Sequence, residues 1–444
     1  MAEAYAAASL SDFQRQLTAA EKAAAGGAAL GARLLAARAQ LSQGDASLSV
    51  GEMEKAIAFH ENAKKIFAAA GDRGRVARAL SAIGTIFCNR GELSKAEATY
   101  RQALAIRREI GDQSGVAYSL NNVASVRYGH LDLPAARKMF EESLTIMREI
   151  DCQEGMAQSF NNIAAVLDNQ GDLPAAKKMY EDSLAIKRRI GDKRGVATTL
   201  YNIGNVLNDQ GNLSGAKEKY EEAFDMCQEM GFKRGAAYAL RSLGEILLNQ
   251  GDNSRAHQKL EEALAIQNAI GEKGEAAKSR LVVASVLITE GQPAQAEALA
   301  RQAAAEFQTE KAVFNEAMAQ EVLARSRLAQ GKVAEAESAV NLAVTALANS
   351  DHREARLSVF TTAARVSAAS GAIIRATQTL EDILAEAARF RLTRAELEAR
   401  LALGEVEMQS RSTIGRARLA ALEEEATAKG FLLIARKAHA ANSQ

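Results

Sequence analysis

The chain reads as all-α, a solenoid of stacked antiparallel helix pairs, on three observations. The sequence repeats every forty residues, small residues recur in fixed columns of that period, and glycines stand at the two points where each period would turn. Set in rows of forty from Gly71, the register holds without a gap to about residue 310. One column reads Gly84, Ala124, Ala164, Gly204, Gly244, Ala284, Ala324 and Ala364, and a second, twelve residues on, reads Ala56, Ala96, Ala136, Ala176, Ala216, Ala256, Ala296, Ala336 and Ala376. Small side chains let two helices approach closely, so these columns mark the helix–helix contacts. A repeat of this length is one hairpin, and a hairpin cannot bury its apolar face alone, so neighbours must stack.

The first helix of each row carries its apolar face at i and i+3. Ile83, Val123, Ile163, Ile203, Leu243, Val283 and Leu323 precede Ile86, Val126, Val166, Val206, Ile246 and Val286. The next position widens the stripe with Phe87, Leu167, Leu207, Leu247 and Leu287, and Arg127 and Arg327 interrupt it, which places it at the edge of the buried face. Gly91, Gly171, Gly211, Gly251, Gly291, Gly331 and Gly371 end the first helix, and Gly71, Gly111, Gly191, Gly231 and Gly271 the second, since a left-handed cap costs glycine no Cβ clash. Asp72, Asp112 and Asp192 follow as N-caps, Pro134 and Pro174 fall in first turns, and Pro293 marks another helix start or turn. Each helix should span about 15 to 17 residues, roughly 24 Å.

Composition excludes several classes of function. With 55 Lys and Arg against 55 Asp and Glu, the chain lacks the positive field that binds nucleic acid or acidic membrane, and neither is expected as a partner. Cys88, Cys152 and Cys227 fit neither a disulfide framework nor a zinc pattern, so a reducing, cytoplasmic setting is expected. No apolar stretch of about 18 residues occurs. His130, His257, His352 and His439 are dispersed, and no metal, cofactor or catalytic residue is expected. His60 stands in the column that later holds Tyr or Phe and reads as a packing residue. Cys88 and Cys227 read as structural, and the basic runs at Arg107–Arg108 and Lys187–Arg189 as solvated faces near helix C-termini.

From Ala197 to Ala223 the residues follow A-x-x-L-x-N-I-G-x-V-L-x-x-Q-G-x-L-x-x-A-x-x-x-Y-E-x-A. This pattern resembles the tetratricopeptide repeat in its forty-residue form, similar to the repeats of kinesin light chain and of the Leu-Gly-Asn-rich scaffold. The match covers residues 71–310 as six well-formed repeats. The aromatic column of Tyr100, Phe140, Tyr180 and Tyr220 then becomes Leu260, Ala300, Val340 and Leu380, so residues 311–444 read as degenerate repeats with a cap. Residues 1–70 read as an N-terminal cap and a degenerate repeat, with an insertion at 45–50 and a lone second helix at about 11–25 that hints at an upstream segment. The resemblance implies a right-handed superhelix whose first helices line a concave groove for an extended peptide.

In the repeat family the residue before the apolar column faces the groove, and in the repeats of O-GlcNAc transferase an asparagine there grips peptide backbone. Asn122, Asn162 and Asn202 occupy that position, and an amide offers the donor and acceptor that a peptide unit needs. Asn121, Asn161, Tyr201, Asn205 and Asn208 add neighbouring groove positions, with Tyr118, Tyr128 and Tyr238 from adjoining turns. The same asparagines also suit hydrogen bonds to neighbouring helices or frayed turns. Two functions fit: a non-enzymatic scaffold holding a peptide or partner tail, and a sensory or regulatory module of a bacterial signalling protein. Self-association through residues 312–420 is a further expectation.

Overall fold

The computed structural model describes residues 30–49, 51–130, 132–350, 352–409 and 413–443; the expected helix at 11–25 lies outside them. Twenty-one helices follow one another among the described residues. They are α1 (Leu30–Ser49), α2 (Met53–Ala69), α3 (Arg73–Asn89), α4 (Leu93–Glu109), α5 (Gln113–Gly129), α6 (Leu133–Glu149), α7 (Gln153–Asn169), α8 (Leu173–Ile190), α9 (Lys193–Asp209), α10 (Leu213–Glu229) and α11 (Lys233–Asn249). Then come α12 (Asn253–Ala269), α13 (Lys273–Thr289), α14 (Pro293–Thr309), α15 (Val313–Leu328), α16 (Val333–Leu347), α17 (Arg353–Ala369), α18 (Ile373–Phe390), α19 (Thr393–Gln409), α20 (Thr413–Ala428) and α21 (Leu432–Asn442). Odd-numbered helices are the first of each pair and even-numbered the second, and the fold is an all-α solenoid of such pairs. Among the described residues no helix is long and apolar enough to cross a membrane.

The chain divides into two compact units, one of residues 1–166 with 185–190, the other of 167–184 with 191–444. The divisions read in the sequence at 70 and 310 rest on how closely the repeat pattern is kept.

Both apolar columns of the first helices are buried in each unit, and every alanine of the second small column is fully buried. The small column sits against the aromatic one. A Cβ added to Gly84 would lie 2.7 Å from the Tyr100 ring, and one on Gly204 2.6 Å from that of Tyr220. Gly44 holds the same place over His60, which is fully buried, with burial pushing its pKa down. That register corrects the insertion expected at 45–50. The helix α1 runs unbroken to Ser49, and Gly51 takes the positive φ of 83° forty residues before Gly91.

The punctuation is local chemistry. Asp72, Asp112 and Asp192 accept from the amides of Arg75, Gly115 and Gly195. Among the described residues, where the period lacks glycine at the turn, Asp151, Lys311 and Arg391 take the left-handed conformation themselves, at φ of 52° to 55°.

Two positions expected on solvated faces are internal. Arg107 donates to Ser119 Oγ at 2.6 Å and to the Gly115 carbonyl at 3.1 Å, and Lys187 is buried. Arg107 occupies a column that packs on the next repeat. Phe67 meets Ala79 there, Phe307 meets Ala319, Leu347 meets Val359, and Gln267 accepts from Ser279 at 2.8 Å. Arg107 and Gln267 are each paired with a hydroxyl twelve residues on.

Candidate functional site: the lumen of the second unit

Within the second unit the late repeats return to the early ones. Arg353 donates to the Gln170 carbonyl at 3.0 Å, Thr393 to that of Gln210 at 3.3 Å, and Arg436 to that of Gly251 at 2.7 Å. The separations are 183, 183 and 185 residues, so this row of contacts is one turn of the coil. Each acceptor lies at the C-terminal end of a first helix, among carbonyls that have no partner inside their own helix. Phe390 covers Gly171, and the Arg353 guanidinium stacks over the Phe390 ring at 4.1 Å. In the same way α21 comes back to touch α11.

The ring so formed leaves a lumen of about 1290 Å³, lined by first helices and by Arg416 of α20. Its wall mixes apolar side chains such as Leu281, Val282, Met318 and Leu433 with charges. Arg394 pairs with Glu398 at 3.2 Å and Arg365 with Glu405 at 3.0 Å. Glu321, almost fully buried, accepts from Thr362 at 2.7 Å and faces Arg325 at 3.8 Å. Burial pushes its carboxyl up, and Arg325 and the Thr362 hydroxyl act against that. Glu398 has the opposite balance: the neighbouring guanidiniums, Arg394 foremost, outweigh its burial and hold it below the usual carboxylate range. Lys437 enters the lumen from α21.

A second cavity of about 420 Å³ adjoins the row of returning contacts and shares Glu245 and Arg394 with the first. It gathers Asp168, Asp209 and Glu354. Burial, and then the charge of Glu354, pushes Asp168 up to about 7. Asp209 is raised well above its usual range by burial and by the same neighbours, and it shares a hydrogen bond with Glu354, itself raised by burial. The Arg394 charge pulls both the other way. Among the described residues no group of three or more His, Cys, Asp or Glu is arranged to hold a metal ion.

The residues singled out from sequence fall in different places. Asn205 and Asn208 line the second cavity, where Asn205 accepts from the Tyr220 hydroxyl at 2.8 Å. Tyr201 accepts from Ser242 at 3.3 Å and packs its ring near those of Tyr220 and Tyr238, and Tyr238 donates to Glu272 at 3.4 Å. In the first unit Tyr118 lies 3.9 Å from Cys152 Sγ. Asn122 and Asn162 are half-buried in that unit; Asn161 and Tyr128 there, and Asn202 in the second unit, are half-buried and engaged with other residues. Asn121 is a correction: it is 1% exposed and donates to Ser159 at 3.3 Å, so it belongs to the packing between repeats rather than to a surface. None of these residues lines the larger lumen.

The family described as MalT-like TPR region matches residues 155–406, more than half of the chain, and the tetratricopeptide repeat family matches residues 35–109 and 75–149. The chain is a tetratricopeptide-repeat protein with a MalT-like repeat region. No curated protein matches it. Among solved structures the repeat protein is similar to the apo form of the quorum sensor NprR from B. thuringiensis, at 17% identity and a TM-score of 0.54, over 66% of this chain and 81% of that one. It is also similar to aspartyl phosphate phosphatase F from Bacillus subtilis, at 12% and 0.53, over 66% and 76%. A third likeness is to a signal transduction ATPase with numerous domains, carrying a tetratricopeptide repeat sensor, from Pyrococcus horikoshii, at 14% and 0.51, over 88% and 55%. At these identities the likeness is one of fold.

Sequence reasoning missed the lumen. The repeat pattern names the first helices that line it, and Arg353 and Thr393 share a column of the period. Their partners, 183 residues away, share no pattern with them.

Proposed function

We propose that this repeat protein is a non-catalytic recognition module that holds an extended peptide or the tail of a partner protein, with the lumen of the second unit as the receiving site. The observation that carries this reading is the lumen itself. Its volume of about 1290 Å³ exceeds the roughly 300 to 1,000 Å³ of ordinary small-molecule pockets, and its wall alternates apolar and charged side chains as a peptide requires. The half-buried Asn122 and Asn162 in the first unit, and Asn202 in the second, remain candidates for gripping backbone in the same proposal.

The test is capture of peptides from a random library of fixed length by the full chain, compared with a Ser285→Trp variant that fills the lumen. Capture by the parent and its loss in a folded variant support the reading. Equal capture by both removes the lumen from it, and the asparagine triple Asn122→Ala, Asn162→Ala, Asn202→Ala then asks whether the amides grip the peptide.

A second reading, a sensory or regulatory module, is favoured by the closed ring. A ligand can enter or leave such a lumen with a change in the returning contacts, which would report occupancy to a linked partner. Hydrogen exchange at residues 353–360 that is unaltered by a captured peptide would count against it.

A further inference from the structure

Lys437 is the one lysine that lines the lumen, and among the described residues its ammonium has neither an ion pair nor a hydrogen bond. It is held there by packing: Ile434 and Ala438, on either side of it along α21, are buried, whereas Arg436 points outward to reach the Gly251 carbonyl. The charged groups that face it are Arg325 on α15, Arg365 on α17, and Glu398 and Glu405 on α19. The two carboxylates are already committed, Glu398 to Arg394 at 3.2 Å and Glu405 to Arg365 at 3.0 Å. Arg325 faces Glu321 at 3.8 Å, beyond hydrogen-bond distance, and Glu321 already accepts from Thr362. A half-buried cation beside two guanidiniums, with the nearby carboxylates already paired, is costly and favours a negative group in the lumen.

We propose that the lumen binds its ligand through an oxyanion, a carboxylate or a phosphoryl group, set among Lys437, Arg325 and Arg365. This rests on the reading of the lumen as the ligand site and makes the last helix a part of that site rather than a cap. The oxyanion accepts charge-assisted hydrogen bonds from the ammonium and from whichever guanidinium hydrogens the wall carboxylates leave unused. Without it, burial and then Arg325 and Arg365 push the Lys437 ammonium down to about 8. With it, the proton on Lys437 is held more firmly.

The experiment follows acetylation of Lys437 by acetic anhydride between pH 7 and 10 in the full chain, read by peptide mass spectrometry against surface lysines. It is run alone, with inorganic phosphate, and with glutarate. An oxyanion in place raises the midpoint by about one unit, which at pH 8 cuts the free amine roughly fivefold. Protection by phosphate alone assigns a phosphoryl group, and protection by glutarate alone a carboxylate. No protection by either at tens of millimolar overturns the proposal. Arg365→Met should abolish protection, and if that variant does not fold the unsubstituted protein still decides the matter. A peptide captured by the parent that leaves Lys437 reactivity unchanged overturns the anion site and spares the lumen. Protection by phosphate with no peptide captured overturns the peptide reading and leaves the anion site standing.

Discussion

The guanidinium of Arg353 donates to the backbone carbonyl of Gln170, 3.0 Å away and 183 residues earlier in the chain. It thereby gives the end of α7 the partner that helix geometry denies it, while stacking on Phe390 and pairing with Glu386. Arg353→Ala removes all three contacts. Given about 1 to 3 kcal/mol for a charged hydrogen bond and a stacked cation together, amide exchange in the first turns of α17 and at residues 171–173 should quicken roughly fivefold or more. Exchange in the first unit should not change. Unaltered protection at both sites would mean that the ring closes without this contact.

The carboxyls of Asp168, Asp209 and Glu354 make closure sensitive to pH. Asp168 is raised to about 7 against an unfolded value near 4, and Asp209 and Glu354 are raised as well. A carboxyl raised by folding favours the folded state when protonated. Its contribution is complete below about pH 4 and is lost as pH climbs through about 7. The second unit should therefore lose thermal stability between about pH 4 and 7, and Asp168→Asn should flatten that slope. An identical slope in the variant would place the effect elsewhere.

Gly204 has no room for a methyl group, since its Cβ would fall 2.6 Å from the Tyr220 ring. Gly204→Ala should cost about 1 to 3 kcal/mol in chemical denaturation. Gly204→Ala combined with Tyr220→Leu should recover part of that loss, because the same two columns of the period hold Ala364 and Leu380, buried in one cluster. Additive losses would show that the ring is not what excludes the side chain.

Glu297 pairs with Arg301 at 2.8 Å and accepts from Lys332 at 3.0 Å, Gln330 at 2.8 Å and Arg327 at 3.2 Å, and these last three bonds, that from Lys332 foremost, outweigh burial and hold its carboxyl down at about 2. Glu97 with Arg127 is the same pair two hundred residues earlier, at 2.6 Å. Glu297→Gln should destabilise the second unit by about 2 kcal/mol, since Arg301 and Lys332 are partly solvated and soften the loss. Arg327→Leu, which restores the residue type of Leu287, should itself be unfavourable unless made together with Glu297→Gln. A double-mutant cycle without coupling would sink the pairing.

Much of this was legible in the chain. The columns of Ala96 and Ile86 follow from close approach and burial, and the caps of Asp72 and Asp112 from the short reach of a carboxylate to the third amide on. Arg127 and Arg327 were correctly placed at the edge of the buried stripe. The pairing of Arg107 with Ser119 was not read, because a basic residue near a helix end has a simpler explanation in water. Asn121 and Asn122 are adjacent amides, and only the angle of the helix decides that the first is buried against Ser159 while the second keeps part of its surface.

By itself the sequence determined the helices, their pairing and their order, since those depend on contacts within forty residues and on the period that repeats them. What the tertiary structure decided is where the coil meets itself. That depends on small rotations summed over successive repeats, a quantity no single repeat encodes. The sum brings Arg353 to Gln170, closes the second unit around a lumen and turns Lys437 into it.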